Sequence, residues 1–316
     1  MLADRPGAVE PMWSSASAAP TRASSTDSVS DVDVFLPPDG HVHSEWSWDA
    51  VAGSMEHSCA RASAVGLPAI AFTEHVDHTV WQVDPEDLEA LPPDNGLVTT
   101  SDSDGQIKPP PFDVEGYFEC IDRCRDLFPD LTVLTGVEVG EPHWYADTVG
   151  SVLGAGTFDR VLGSLHCLPD GDLFREPPGL YRHRHPDEVV REYLLEVAVL
   201  VANSDAFAVL AHIDYPVRSW PSEHGPFDPT DFEDEFRHAL RATAQSGRAL
   251  EINTRVPLDA TVLGWWRDEG GDAVSFGSDA HDPLAVGRGL ADAAGMAEAH
   301  GYRPSRNPLD LWPRTA

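Results

Sequence analysis

The sequence predicts an α/β protein organised around a parallel sheet, and three observations support that fold class. Short apolar runs alternate with segments of helical pattern, which is typical of consecutive βα units. The apolar runs are continuous, as expected for strands that helices cover on both faces. Most runs lead directly into a His, Asp or Glu, and in barrels of βα units the chemistry lies at the C-terminal ends of the strands.

Seven segments are predicted as strands, one fewer than in a (β/α)8 barrel. The first carries His41 and His43, and the others cover 69–75, 131–137, 160–165, 207–211, 248–250 and 273–278. The clearest helix start is Pro186-Asp187-Glu188, because proline and acidic residues favour the first turn. Helices are predicted over 51–65, 113–128, 186–203, 231–246, 258–269 and 284–300.

Length and composition are those of a globular protein with a strongly acidic surface. The 316 residues suffice for one large α/β domain or two small ones, and we expect a single domain over 34–316. The net charge of −32 at pH 7 argues against a basic face that binds a nucleic acid duplex. Lys108 is the only lysine, so arginine supplies nearly all of the positive charge.

No targeting or membrane segment is predicted. The chain has no run of about 18 apolar residues, and residues 1–33 lack the apolar stretch of a secretory signal. We therefore interpret residues 1–33 as a disordered tail and expect a cytoplasmic protein. The four cysteines are too few for a disulfide scaffold and are predicted to be buried thiols.

The segment from 79 to 111 interrupts the alternation of strands and helices. It contains two proline runs and the polar stretch 101–105. A connection this long without secondary structure is either functional or disordered. Because it follows the strand that ends at His75, it would lie over the mouth of the barrel, where a lid or a substrate-selecting loop is expected.

The first strand carries a His-x-His pair. Side chains at i and i+2 of a strand point to one face, so His41 and His43 can offer two imidazole nitrogens to one metal ion. The pair alone is a weak signal, because His183-Arg184-His185 has the same spacing in a polar run that we interpret as a loop. Its weight comes from the ionisable residues that end the later strands.

Six histidines and three carboxylates are predicted to meet at the strand ends. Imidazole and carboxylate ligands together suit Zn²⁺, Mn²⁺ or Fe²⁺. Nine ligands exceed the needs of one tetrahedral ion, so two or three divalent ions are expected, with Glu138 or Asp279 as candidate bridges. The nine candidates are His41, His43, Asp49, His75, Glu138, His166, His212, Asp279 and His281.

These residues resemble the motifs of the polymerase-and-histidinol-phosphatase (PHP) family of metal-dependent phosphoesterases. The resemblance implies a distorted (β/α)7 barrel with the metal site at the C-terminal ends of the strands. Six motifs match in order: His41-Val42-His43, Glu74-His75, Gly136-Val137-Glu138, Gly163-Ser164-Leu165-His166, His212 and Asp279-Ala280-His281.

The resemblance also implies how the ligands are shared and which residues are catalytic. Glu138, Asp279 and His281 are predicted to be catalytic, with a metal-activated water as the nucleophile. Asp49 lies at the position where the family pattern varies. Three ions are implied, the first held by His41, His43, Glu138 and Asp279, the second by Glu138, His166 and His212, and the third by Asp49, His75 and His281.

Arginine is expected to complete the phosphate site through bidentate hydrogen bonds. Arg160, Arg218 and Arg255 lie beside predicted strand ends. Arg218 and Arg255 resemble basic residues of the histidinol-phosphatase branch of the family. Glu251 is predicted to contact the substrate amine or to act behind a ligand by orienting an imidazole.

The resemblance favours hydrolysis of L-histidinol phosphate, a small-molecule phosphate ester. Two alternatives stay open: a PHP phosphoesterase that acts on a nucleotide or another small ester, and a non-catalytic metal-binding regulatory module. An amidohydrolase is disfavoured, because Lys108 lies in the proline-rich segment and not at a strand end. The sequence leaves the metal identity and the oligomeric state open.

Overall fold

The computed structural model describes residues 36–307 and 311–315, so the tail predicted over residues 1–33 lies outside the described residues. The described residues form a main sheet and two small ones. The strands are β1 (Asp39–Val42), β2 (Ala69–Val76), β3 (Trp81–Gln82), β4 (Gln106–Ile107), β5 (Thr132–Gly140), β6 (Arg160–Ser164), β7 (Leu168–Asp170), β8 (Leu173–Arg175), β9 (Val209–Leu210), β10 (Ala249–Asn253), β11 (Ala273–Gly277) and β12 (Trp312–Pro313).

Within the described part of the chain, no helix is long and apolar enough to cross a membrane. The α-helices are α1 (Met55–Val65), α2 (Pro85–Glu89), α3 (Gly96–Thr100), α4 (Val114–Leu127), α5 (Ala146–Gly154), α6 (Pro177–Leu180), α7 (Pro186–Asn203), α8 (Glu233–Gln245), α9 (Ala260–Asp268) and α10 (Leu290–Ala299). Short 3₁₀ helices lie at Tyr215–Ser219, Ser222–His224, Pro229–Phe232 and Pro283–Ala285.

Seven parallel strands form the barrel that the sequence predicts. Neighbours pair in parallel in the order β1-β2-β5-β6-β9-β10-β11, and β12 pairs antiparallel with β11. The two ends of this row meet through hydrogen bonds from His43 N–H to Ala280 O (2.9 Å) and from Asp279 N–H to His41 O (2.8 Å). The prediction of a distorted (β/α)7 barrel is confirmed, and its seam closes beside the C-terminal ends of β1 and β11.

A buried carboxylate at the start of β1 fixes this seam. Asp39 is fully buried and accepts hydrogen bonds from the backbone N–H groups of Ser278 and Gly287, both at 2.9 Å. Burial raises the pKa of Asp39, and its hydrogen bonds to Ser278 oppose that rise. The strand that carries the His-x-His pair is thereby attached to the segment that carries Asp279.

The helices cover the barrel with apolar faces. In α7, Val190, Leu194, Val197 and Val201 are buried at the spacing of three and four residues that places side chains on one face. The bounds of α7 agree with the prediction from its proline and acidic start. The four cysteines are buried free thiols, as predicted.

Several segments differ from the predicted secondary structure, among them β7, β8, α6 and β12, which were not predicted. The last helix begins at Leu290 rather than at residue 284, because Gly287 and Gly289 have φ values of 78° and 71° that interrupt a right-handed helix. The sequence analysis missed α5, which contains two glycines and so has a weak helical signal. The segment over 79–111, predicted to be structureless, contains α2, α3 and the paired strands β3 and β4.

We expect Tyr117→Phe to lower the free energy of unfolding by about 1–3 kcal/mol. The buried Tyr117 hydroxyl donates to Phe72 O and accepts from Gly136 N–H, both at 2.8 Å. Without the hydroxyl, a buried carbonyl of β2 and a buried N–H of β5 would lose their partner. Urea denaturation measures the change.

Tyr145→Phe is the control for this substitution. The Tyr145 ring is partly buried against the core, and among the described residues no hydrogen bond of its hydroxyl is observed. An equal loss of stability in the two variants would contradict the role of Tyr117 as a link between strands.

Candidate metal centre

The strand ends meet around a cavity of about 500 Å³ at the C-terminal end of the barrel. All parallel strands of a barrel end at the same rim, which brings together side chains that are distant in the sequence. His41 and His43 lie beneath the cavity and are fully buried. The other predicted ligands line the cavity: Asp49, His75, Glu138, His166, His212, Asp279 and His281.

Glu138 lies at the centre of the cluster, because its two oxygens face different imidazoles, with His75 Nδ1 3.4 Å from Oε2. Its Oε1 is 3.2 Å from His166 Nε2 and 2.7 Å from His212 Nε2. Its Oε2 is 3.1 Å from His41 Nε2 and 3.3 Å from His43 Nε2. The carboxylate therefore joins two groups of potential metal-binding atoms.

A third group lies on the side of Asp49. Its Oδ2 is 2.9 Å from His281 Nε2 and 3.5 Å from His75 Nε2. Asp279 Oδ1 is 3.5 Å from His43 Nε2 and 3.4 Å from His281 Nδ1, so it links this group to the first. In the part of the chain that the structure describes, four sets of three such residues could each hold a metal ion.

Hydrogen bonds behind the His-x-His pair direct two imidazole lone pairs towards each other. Glu251 accepts from His41 Nδ1 at 2.7 Å, so the lone pair of His41 is on Nε2. The Ser47 hydroxyl donates to Glu74 at 2.6 Å and therefore accepts from His43 Nδ1 at 3.0 Å, which leaves the lone pair of His43 on Nε2 as well. The two Nε2 atoms are 3.0 Å apart. A cation, either a proton or a metal ion, is needed to offset this repulsion, so the donor set fits a metal ion.

The burial and charges of the cluster shift several pKa values. Burial and the neighbouring imidazoles lower the pKa of His43 to about 4. Burial and the charge of Arg218 lower the pKa of His212 to about 4. Burial opposes the ionisation of Glu138, but the imidazoles around it outweigh burial and hold the pKa of Glu138 well below its usual value. Burial opposes the protonation of His41, His75 and His166, but the neighbouring carboxylates outweigh burial and raise the pKa of all three, that of His75 to about 9. A metal ion binds neutral imidazoles and ionised carboxylates, so it would replace the protons on these three rings.

Glu251 is absent from the described residues that line the cavity. Its side chain is 1% exposed and lies behind the cluster, where it also accepts a hydrogen bond from His212 N–H at 2.9 Å. The close approach to His41 depends on Gly277, because a Cβ there would lie 2.2 Å from Glu251 Oε1. Glu251 therefore orients imidazoles, which is the other role that the sequence left open.

Sequence reasoning missed Asp77, which lies beside two imidazoles on the other side of the cluster. It accepts a hydrogen bond from Trp48 Nε1 at 2.9 Å, and its carboxylate lies 3.4 Å from His75 Nδ1 and 3.6 Å from His166 Nδ1. Its spacing of two residues from His75 places it on the same face of the extended chain, and that spacing was the available signal. Glu141 accepts from His166 N–H at 2.6 Å and so holds the end of β6.

Two of the three predicted arginines line the cavity. Arg218 donates to Asp279 Oδ2. Arg255 Nη1 lies 3.3 Å from Asp279 Oδ1 and 3.0 Å from His281 Nδ1. Arg160 is absent from the described residues that line the cavity, because it is the first residue of β6 and lies away from the strand's C-terminal end.

Two insertions between the barrel strands add walls to the cavity. The segment over 79–111 contributes Trp81, Asn95 and Leu97. The hairpin of β7 and β8, together with α6, contributes Glu176. No sequence pattern marked Glu176, because it does not follow a barrel strand and its place depends on how the insertion folds.

Comparisons with known proteins agree with this architecture. The family description PHP domain matches residues 39–255. The histidinol-phosphatase of Lactococcus lactis subsp. lactis is 26% identical over 251 residues, covering 77% of this chain and 83% of the relative. A protein of Deinococcus radiodurans named probable histidinol-phosphatase is 29% identical over 269 residues, covering 81% of this chain and 90% of the relative.

A solved structure shares the fold. It is the histidinol phosphate phosphatase of Lactococcus lactis subsp. lactis Il1403, complexed with Zn, L-histidinol and phosphate. The TM-score is 0.68 at 22% identity, covering 87% of this chain and 98% of the other.

We expect Zn²⁺ to raise the melting temperature of the protein, and the His41→Ala/His43→Ala double variant to lose most of that rise. An ion that binds only the folded state stabilises it by about 2.7 kcal/mol at a free concentration of 100 times its Kd. Removing two imidazoles weakens the affinity and so reduces this stabilisation. Thermal unfolding with Zn²⁺ and with a chelator measures the shift.

The second His-x-His pair of the chain provides the matched control. The side chains of His183 and His185 are 46% and 54% exposed and do not line the cavity. His183→Ala/His185→Ala should keep the full Zn²⁺ shift. If both double variants lost the shift equally, the strand ends would not be the metal-binding region.

Proposed function

The chain belongs to the PHP domain family, and on this premise we propose that it is a metal-dependent phosphomonoesterase that hydrolyses L-histidinol phosphate to L-histidinol and phosphate. The observation that carries the proposal is the convergence of six imidazoles, three carboxylates and two arginines at one end of the barrel. Hydrolysis of a phosphate ester requires neutralised phosphate oxygens and an activated water, and this combination of groups supplies both.

We propose that the nine predicted residues hold two or three divalent ions, for which Zn²⁺, Mn²⁺ and Fe²⁺ suit the donor set. The buried atom Asp49 Oδ1 has no hydrogen-bond partner among the described residues, which leaves it available to an ion. When bound, the ions lower the pKa of a water and neutralise phosphate oxygens. The contacts on the two oxygens of Glu138 and those on Asp49 support the division among ions that the family motifs imply.

Asp279 lies where the ligand cluster meets the arginines. It contacts His43 and His281 through Oδ1 and the guanidinium of Arg218 through Oδ2. Its φ of 52° is uncommon for a residue other than glycine and holds the carboxylate at this junction. In the proposed mechanism Glu138, Asp279 and His281 are the catalytic residues that hold the reacting centre. Asp279 and His281 contact the arginines, and Glu138 lies among the imidazoles.

Arg218 and Arg255 are the proposed phosphate-binding residues. Their guanidinium groups converge on Asp279 from the cavity side, so an ester phosphate in the cavity would meet both. A guanidinium binds two phosphate oxygens with parallel N–H groups and orients the ester. The surface is acidic overall, with a net charge of −32, so these two arginines supply local positive charge where a phosphate needs it.

The substrate assignment is supported by the names and the coverage of the relatives. Both curated relatives described above are named histidinol-phosphatases, and the match spans 83% and 90% of their lengths. The cavity of about 500 Å³ has the size of a small-molecule site.

We expect the metal-loaded protein to release phosphate from L-histidinol phosphate with a kcat/KM at least about tenfold above that for nucleoside monophosphates, because only a matched leaving group fills the cavity. Phosphate release across a panel of esters with Zn²⁺ or Mn²⁺ measures this preference. A preference for nucleotides would agree with the proposed phosphoesterase activity and contradict the proposed substrate. Absence of turnover with every ester would favour the alternative of a non-catalytic regulatory module.

We expect Glu251→Gln to weaken metal affinity about 10- to 100-fold, because the anionic acceptor behind His41 would be lost. Metal content after dialysis against a graded chelator measures the affinity.

Glu196→Gln is the matched control for the Glu251 variant. Glu196 lies 2.8 Å from His143 Nε2 in another glutamate–histidine pair that does not line the cavity. The Glu196→Gln variant should retain the wild-type metal affinity. Equal affinities of the wild type and Glu251→Gln would contradict the orienting role of Glu251.

A further inference from the structure

One carboxylate in the cavity has no role in the metal centre. Asp77 is held by Trp48 Nε1, and Glu141 accepts a hydrogen bond from the Thr79 hydroxyl at 2.5 Å. Three more acids of the cavity belong to the proposed ligands, so Glu176 is the one left over. The six acids that line the cavity are Asp49, Asp77, Glu138, Glu141, Glu176 and Asp279.

The Glu176 side chain is held towards the cavity without a positive partner. The Tyr215 hydroxyl donates to its Oε1 at 2.8 Å, and among the described residues Glu176 forms no ion pair. Glu176 precedes α6 at the N-cap position, but its side chain makes no capping hydrogen bond. Burial raises the pKa of Glu176, and the Tyr215 hydrogen bond opposes the rise. A cation beside this carboxylate would stabilise its ionised form.

The Tyr215 side chain lies between Glu176 and the metal-binding cluster. The centroid of the Tyr215 ring lies 5.0 Å from that of His166 and 5.1 Å from that of His212. An ester whose phosphate lies at the cluster would therefore extend its alcohol portion past Tyr215 towards Glu176. Arg218 packs against the face of the same ring, with its Cζ 4.9 Å from the ring centroid, whereas Glu176 accepts from the hydroxyl at the tip of the ring.

The segment that carries Glu176 is fixed to the neighbouring insertion. The adjacent Arg175 contacts Asp170 Oδ2 at 2.9 Å through Nε and Asp84 Oδ1 at 3.1 Å through Nη1. These contacts join β8 to the segment that precedes α2. The position of Glu176 is thus set before a ligand binds, which lowers the entropy cost of recognition.

We infer that Glu176 selects phosphate esters whose alcohol portion carries a positive charge, and that the Tyr215 hydroxyl positions its carboxylate. The inference rests on the proposed phosphomonoesterase activity and deepens it by naming the substrate class as esters of amino alcohols. Trp48 and Trp81 also line the cavity, and Trp81 Nε1 has no hydrogen-bond partner in the described structure. Aromatic walls of this kind favour a cationic group.

The test compares two esters that differ by one ammonium group, phosphoethanolamine and ethyl phosphate, together with L-histidinol phosphate. Metal-loaded wild type should prefer phosphoethanolamine to ethyl phosphate in kcat/KM. In Glu176→Gln this preference should fall about ten- to hundredfold, mainly through a higher KM, because a charge-assisted hydrogen bond is lost. Tyr215→Phe, which keeps the ring, should reduce the preference in the same direction by a smaller factor.

Asp172→Asn is the matched control, because this exposed carboxylate lies in the turn of the same hairpin and does not line the cavity. It should keep the wild-type preference. An unchanged preference in Glu176→Gln, or an equal loss for both esters, would overturn the inference. Metal content and circular dichroism verify that each variant folds. If Glu176→Gln does not fold, the substrate preference measured in Tyr215→Phe tests the inference in its place.

The outcomes also separate this inference from the proposed substrate. If the wild type hydrolysed L-histidinol phosphate and Glu176→Gln kept its preference for the charged ester, the inference would fail and the proposed function would stand. If the wild type were inactive on L-histidinol phosphate but lost its phosphoethanolamine preference in Glu176→Gln, the inference would stand and the substrate would be wrong. Inactivity on every ester would overturn both.

Discussion

The structure depends on the convergence of imidazole lone pairs and carboxylates in a buried place. Two Nε2 atoms of the His-x-His pair lie 3.0 Å apart beside Glu138, an arrangement that costs free energy unless hydrogen bonds and a cation support it. A second layer supplies the hydrogen bonds: Glu251 behind His41, and Ser47 with Glu74 behind His43. Because this layer fixes which nitrogen carries each proton, it determines where the lone pairs point.

The barrel backbone is adapted to hold that cluster. The seam between β1 and the end of β11 closes with the backbone of His41, His43 and Asp279 itself, so the closing hydrogen bonds and the site share residues. Asp39 adds two hydrogen bonds beneath the seam. Gly277 leaves the space that Glu251 needs to reach His41. The same residues therefore close the barrel and orient the site. A substitution that breaks the seam should lower both the stability of the barrel and the metal affinity.

The residues proposed for catalysis and those proposed for substrate selection come from different parts of the chain. The strand ends carry the groups that would hold ions and phosphate, whereas Trp81 and Glu176 come from insertions between strands. The insertions are joined by ion pairs of Arg175, which lie outside the cavity and leave its interior charges undisturbed. This separation allows the leaving-group side of the cavity to vary without disturbing the strand ends, as in other barrels whose loops set specificity.

The sequence by itself determined the seven strands and the residues at their C-terminal ends, because the spacing of His41 and His43 and the apolar runs are local properties of the chain. It left two roles open for Glu251 and did not decide whether Arg160 reaches the cavity, since both depend on which end of a strand faces which neighbour. It missed Asp77 although the i+2 spacing was present, and it had no signal for Glu176. Only the tertiary structure decided that the two oxygens of Glu138 face different imidazoles and that Glu176 reaches the cavity. Those distances arise from packing between segments far apart in the chain, which local spacing does not encode.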